Sequence, residues 1–306
     1  MKTRTRTGNN MTDATSETAE TPSGKGAADE NFPIGSMLLP KRLRPHVAVF
    51  YAFARAIDDV ADNPDLEPDD KIRRLDGFDK ALLGEDDSPA YEKAHRIRES
   101  LRETDVPVQH CRDLISAFKQ DAVKSRYDDW DDLIDYCDRS ASPVGRYLLD
   151  LHGESHDGYP ASDALCNALQ VINHLQDCQD DYRSMDRVYL PGDWMEAAGV
   201  TVEALDATAA SPALRQVMDR CLDGTEELLA LARTLPGQMQ SRHLAMESAA
   251  IVRIAERLTV LLRRRDPVAE RVELTKPGFL WCCVRGAARE FIRPGSSRRR
   301  MRPSAA

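Results

Sequence analysis

Helical spacing runs through this chain with almost no competing strand alternation, and that narrows the folds open to it. Apolar residues recur at helical intervals over about 44–62, 68–83, 88–103, 107–125, 129–152, 161–185, 211–234, 240–265 and 276–292. Turn residues punctuate the pattern: Pro64 and Pro68 separate the first two segments, and "GEDDSP" the next two. Pro143 falls inside 129–152, where it lacks a backbone donor and crowds the preceding turn, so a break or kink is expected there. The stretch "RVYLPGDWMEAAGV", 187–200, reads as a loop. No short-period repeat and no Pro/Gly linker interrupts 31–292. The expected fold class is all-α, a single domain with a central cavity enclosed by facing helices.

Composition removes several function classes. With 42% hydrophobic residues in 306, the chain can bury a substantial core, and its net charge of −9 argues against nucleic acid as a partner. The last fourteen residues, 293–306, run the other way, with five arginines and no acid, a tail that allows peripheral contact with an anionic membrane. Seven cysteines form no CxxC pair and sit among apolar residues, which suggests buried reduced thiols in a cytoplasmic protein. No apolar run approaches the ~18–20 residues that span a bilayer. Residues 1–30 have a basic start but no apolar core, so they read as a disordered leader rather than a secretory signal. The folded domain is then expected over 31–292.

Two acidic stripes carry the chemistry. "HVAVFYAFARAIDDVAD" is hydrophobic nearly all round, as buried helices are, yet Tyr51, Arg55, Asp58, Asp59 and Asp62 fall at helical-neighbour positions along it. Alone, that run reads equally well as the wet end of a helix. A second apolar run, "ALCNALQVI", leads into "NHLQDCQDDYR", where Asn173, Asp177 and Asp181 stand at i, i+4 and i+8, with Asp180 to the side. Two buried-type helices that face one another and each end in oxygen ligands enclose a carboxylate-rich site. Hard oxygen donors without His or Cys suit Mg²⁺ rather than zinc, the candidate ligands being Asp58, Asp59, Asp62, Asn173, Asp177 and Asp181. Arg55, Arg183 and Arg187 suit an anion bridged by the metal, for which pyrophosphate is the natural choice. The greasy flanks then point to an apolar diphosphate as substrate. The run "YDDWDDLIDY" reads instead as a helix N-terminal turn, where carboxylates complement the dipole. His46 and His174 read as structural or solvated.

Three stretches in order, "LLPKRLRPHVAVFYAFARAIDDVAD", "RYDDWDDLIDYCDRSASPVG" and "NHLQDCQDDYRSMDRVYLP", resemble the squalene/phytoene synthase family over about 31–290, and "ENFPIGSMLLPKRLRPHV" looks closest to its HpnC branch of hopanoid biosynthesis. The resemblance implies the isoprenoid synthase helical fold and a Mg²⁺-dependent conversion of presqualene diphosphate to hydroxysqualene, with no NADPH needed. It also implies functional partners similar to HpnD, which makes presqualene diphosphate, and HpnE, a flavin oxidoreductase. By position it assigns Asp58, Asp62, Asp177 and Asp181 to metal-assisted ionisation, with Asn173 beside the diphosphate. Tyr51, Arg55, Tyr127 and Arg187 match diphosphate-pocket positions, Tyr127 as a group that orders the leaving group or water. Val144 and Gly145 match the segment where the family's helix breaks beside the substrate tail. Phe53 and Tyr147 are aromatic faces open to a cation role or to plain packing. Two departures stand out: Glu30, Asn31, Phe32 and Pro33 replace a serine-rich stretch of phytoene-type members, and Gln176 replaces a common arginine. Both suit an enzyme that handles one diphosphate. The alternatives are direct head-to-head condensation of prenyl diphosphates and a non-catalytic assembly factor; the second is expected to have lost its aspartates.

Overall fold

The computed structural model describes residues 39–292, with side chains to 288. The leader, residues 30–33 and the basic tail lie outside that range. Among the described residues there are helices and no strand, and none of the helices is long and apolar enough to cross a membrane. The first helix, α1 (Arg44–Asp62), stops where expected: Asn63 precedes a proline and swings to φ −66°, ψ 116°. Next come α2 (Pro68–Leu83), α3 (Glu92–Thr104) and α4 (Gln109–Asp121). Gly84 closes α2 at φ 83°, a conformation that only glycine adopts without strain.

The 129–152 segment divides into α5 (Trp130–Ser140) and α6 (Ser142–His152), broken at Ala141 (φ −121°, ψ −47°), with Pro143 tolerated in the first turn of α6. The Asp129 carboxylate accepts the Asp132 N–H at 2.9 Å, so "YDDWDDLIDY" does start a helix. The 161–185 segment also divides, against expectation. Its parts are α7 (Tyr159–Gln176) and α8 (Cys178–Met185), and Asp177 between them takes φ −104°, ψ 8°. Within the expected loop 187–200, the chain forms a short helix, α9 (Gly192–Ala197). It is anchored by Gly192 N–H to the Tyr127 carbonyl and by stacking of Trp194 on Trp130 at 5.4 Å. The remaining helices are α10 (Pro212–Ala232), α11 (Leu235–Gln238), α12 (Arg242–Arg264) and α13 (Lys276–Ile292).

Two apolar clusters form the core. One gathers α1 to α4 around Phe53, Phe78, Ile97 and Leu114. The other gathers α5, α7, α10 and α12 around Leu133, Ile172, Leu222 and Ile254. Helix α6 is shared, giving Tyr147 and Leu151 to the first and Leu149 to the second. The two clusters meet along a seam, and the seam encloses a cavity. All seven cysteines are free and five are buried, in keeping with reduced thiols.

Candidate active site

The cavity has a volume of about 310 Å³ and lies between α1, α6, α7 and α12, with α4 closing one side. Its walls are mainly hydrocarbon: Val47, Phe50, Leu114, Phe118, Leu149, Leu165, Leu169 and Ile251. Tyr51, Arg55 and Asp58 reach it from α1, and Asn173 from α7, so one end is polar. Val144 and Gly145 line it beside the α5–α6 break. A β-carbon on Gly145 would come within 2.4 Å of Ser162 Oγ and 2.7 Å of Cys166 Sγ, which explains glycine where α6 crosses α7. A broader groove of about 1050 Å³ runs between α10, α12 and α13, but no residue of either acidic stripe lines it.

On α1 the periodicity places the charged residues as expected. Arg55 Nη1 donates to Asp58 Oδ2 at 3.1 Å, and its Nε lies 3.5 Å from Asp59 Oδ1. The remaining nitrogen, Nη2, is buried without a hydrogen-bond partner. A guanidinium with one buried, unspent N–H group beside a cavity is a ready anion acceptor. Asp62, one turn on, pairs instead with Arg187 at 2.6 Å.

Arg187 does not line the cavity. It is buried, and its Nη2 donates to the backbone carbonyls of Ala61 and Asp121 at 3.1 Å each. Behind it stands a polar knot that the sequence did not announce. Tyr136 OH donates to Asp121 Oδ2 at 2.8 Å. Burial pushes the Asp121 carboxyl up to about 7, against the opposing pull of Arg187 and the Tyr136 hydrogen bond. Lys71, which donates to the Ala61 carbonyl at 2.8 Å, adds another cation, its own pKa lowered by burial and then by Arg187. Asp121 and Tyr136 sit 15 residues apart on different helices, so no local spacing links them.

Tyr127 belongs to this knot. Its ring packs on Tyr189 at 5.4 Å and on Tyr136 at 5.3 Å, and Tyr189 in turn stacks on His174 at 3.5 Å. Burial raises the Tyr127 pKa and keeps the phenol protonated, while its hydroxyl, next to Gln120, makes no well-formed hydrogen bond. His174 is buried and driven down to about 3 by burial and then by Arg187, so it is a neutral structural ring. His46 is structural too, with Nδ1 2.8 Å from Ser100 Oγ.

The second acidic segment departs from an ideal stripe. Asn173 is on α7, Asp177 is the break and Asp181 is on α8; Asp177 N–H still bonds to the Asn173 carbonyl at 2.9 Å, and Asp181 N–H to that of Asp177 at 2.8 Å. Asp177 and Asp181 are both partly exposed, and Asp180 is fully so. Arg183 turns away to Asp206 at 2.6 Å and to Gln179 at 2.7 Å, which corrects its expected place at an anion site. Phe53 packs edge-on to Phe78 inside the core, and Tyr147 stacks on Phe50 at 3.9 Å, so the aromatic side chains on the cavity are Phe50, Tyr51 and Phe118 rather than either of them. Among the described residues, no three His, Cys, Asp or Glu side chains converge as a metal cage.

The squalene/phytoene synthase family model matches residues 26–277. Hydroxysqualene synthase of Rhodopseudomonas palustris is 42% identical over 275 residues, covering 90% of this chain and 94% of that protein. Hydroxysqualene synthase of Zymomonas mobilis is 44% identical over 268 residues, covering 87% and 90%. Among solved structures, squalene synthase HpnC from Alicyclobacillus acidocaldarius superposes with a TM-score of 0.66 at 31% identity, covering 76% of this chain and 87% of that one. Fold, cavity and sequence thus agree, and the chain belongs to the squalene/phytoene synthase family.

Proposed function

We propose that this protein converts presqualene diphosphate to hydroxysqualene and diphosphate. One observation carries the reading: a hydrocarbon-walled cavity ends at Arg55, Asp58 and Asn173, in a chain similar to two hydroxysqualene synthases over most of its length. Mg²⁺ fits the residues present. Asp58, Asp62, Asp177 and Asp181 supply only hard oxygens, the donor type that this ion takes together with water and diphosphate oxygens. When bound, the ion neutralises charge on the departing diphosphate.

In this reading Arg55 offers its free Nη2 to a diphosphate oxygen and Asn173 hydrogen-bonds beside it, so charge that develops on the leaving group meets fixed donors. The apolar walls keep the resulting cyclopropylcarbinyl cation from bulk water while the ring rearranges. Phe50, stacked on Tyr147, presents an aromatic face to the cavity and to that cation. Arg187 fixes the end of α1 through Asp62 and thereby orients the carboxylates. Tyr127, held protonated, belongs to the aromatic knot behind Arg187 and supports that fastening from outside the cavity lining. The reaction needs a supplier of presqualene diphosphate and a reductase for the alcohol, the roles of HpnD-like and HpnE-like enzymes. Its very apolar product suits a protein whose basic tail, 293–306, rests at an anionic membrane.

The test is a product assay with Mg²⁺ and without NADPH, offering farnesyl and presqualene diphosphates in separate tubes. Hydroxysqualene from presqualene diphosphate alone is expected; consumption of farnesyl diphosphate would instead establish a condensing enzyme. Asp58→Asn and Asp177→Asn should each lower turnover by about a thousandfold or more while the fold is retained, since each removes charge that opposes the leaving group. Turnover surviving both changes would refute the metal assignment.

A further inference from the structure

One acidic group in the cavity has no part in the scheme above. Among the described residues lining it only two are acidic: Asp58 at the polar end, and Glu247 on α12. Glu247 is 6% exposed, and its Oε2 has no hydrogen-bond partner. Its lining neighbours on α12 are Leu244, Ser248 and Ile251, and Ser248 is already spent on the Leu244 carbonyl at 2.8 Å. A buried carboxyl among hydrocarbon is costly, and such groups are normally paired. Here burial alone drives its pKa up to about 7, and no charged neighbour contributes.

The fold puts this carboxyl on the α12 wall of the cavity, beside Leu244 and Ile251. The start of α12 is tied to the end of α6, where Glu154 accepts the Gln240 and Ser241 N–H groups at 2.6 and 2.7 Å. Glu247 is in the second turn of that helix, an element that carries neither acidic segment. Along α7 the cavity extends from Asn173 to Ser162, roughly 16 Å at 1.5 Å per residue. Ionisation and ring rearrangement, meanwhile, carry positive charge off the carbon that held the leaving group and along the hydrocarbon.

We propose that Glu247 captures the water consumed in the reaction, a role that rests on the hydroxysqualene synthase reading. Its carboxylate accepts a hydrogen bond from one water molecule in the cavity, and a second lining oxygen without a partner, Ser140 Oγ, is a further polar contact that the cavity offers. A lone pair of the water forms the C–O bond to the carbocation, one O–H bond breaks, and its proton passes to Glu247 Oε2. The carboxylic acid later returns that proton to solvent. Nothing is oxidised or reduced, and the diphosphate has already left with the electrons of its C–O bond.

The experiment compares wild type, Glu247→Gln and Glu247→Leu as full-length chains with Mg²⁺ and presqualene diphosphate. It measures hydroxysqualene by mass spectrometry, together with C30 hydrocarbons formed by proton loss and the diphosphate released. Alcohol formed per diphosphate released should fall about tenfold or more in both variants, with hydrocarbons in its place, in keeping with loss of a general base. Glu247→Leu should also raise the melting temperature, because it removes an unpaired buried carboxyl. An unchanged alcohol ratio in both variants overturns the proposal and leaves the diphosphate as the base. A lower melting temperature with an unchanged ratio identifies a structural residue and overturns it equally. If wild type makes no alcohol from presqualene diphosphate, the functional reading fails, and this assignment with it.

Discussion

Arg55 and Arg187 touch the same stripe of aspartates, yet the fold uses them in opposite ways. Arg187 comes from the far side of the sequence, pairs with Asp62, caps two backbone carbonyls and is buried. Arg55 lies on α1 itself, is partly exposed, pairs with the partly exposed Asp58 and the buried Asp59, and keeps Nη2 free beside the cavity. The first guanidinium fastens α1 to the segment after α8 and to the end of α4. The second is left with capacity for a ligand. Residue type and proximity to an acid therefore do not identify an anion-binding arginine; the unspent donor does.

That contrast can be broken by removing each in turn. Arg187→Ala should destabilise the protein by about 3–5 kcal/mol in denaturant melts, because Asp62 and the buried Asp121 knot lose their common cation. A loss below about 1 kcal/mol would mean that the fastening is dispensable. Glu247 extends the comparison to a buried charge with no partner at all. Its folded pKa lies near 7 against an ordinary 4.5, so between those values the folded state holds a proton that the unfolded state has released. Wild-type stability relative to Glu247→Leu should therefore fall as pH rises from about 4.5 through 7, by roughly 3 kcal/mol in all, and level off above. A flat difference across that range would show that the carboxyl is solvated. Smallest in stability is Arg55→Ala, at about 1 kcal/mol or less, since Arg55 and its nearer partner Asp58 are partly exposed. It should instead raise the KM for presqualene diphosphate about tenfold or more through the lost charge-assisted bond. Strong destabilisation with an unchanged KM would make Arg55 a second fastener.

Much of this was legible in the sequence. Helix α1 was read at its observed bounds, with Pro64 marking its end, and the α5–α6 break was announced by Pro143. Tyr51, Arg55, Asp58, Asn173, Val144 and Gly145 all reached the cavity, since helical periodicity and the α5–α6 break brought them to one seam. The break at Asp177 was not legible. No Pro or Gly marks it, and the flanking Gln176 side chain is held by the Val272 carbonyl, 96 residues away. Nor was the Arg183–Asp206 pair, or the stacking that takes Tyr147 into the core.

By itself the sequence determined the helical class, the two carboxylate segments and the family, because helix periodicity and motif spacing are local properties that a chain carries before it folds. The tertiary structure decided which arginine is free, which tyrosines surround Asp121, and that Glu247 Oε2 is left without a partner at the cavity wall. Those outcomes depend on partners 15 to 126 residues apart, and on whether a buried polar atom meets one at all. Hydrogen bonding and desolvation act through space, so only the packed chain reveals which groups remain unsatisfied.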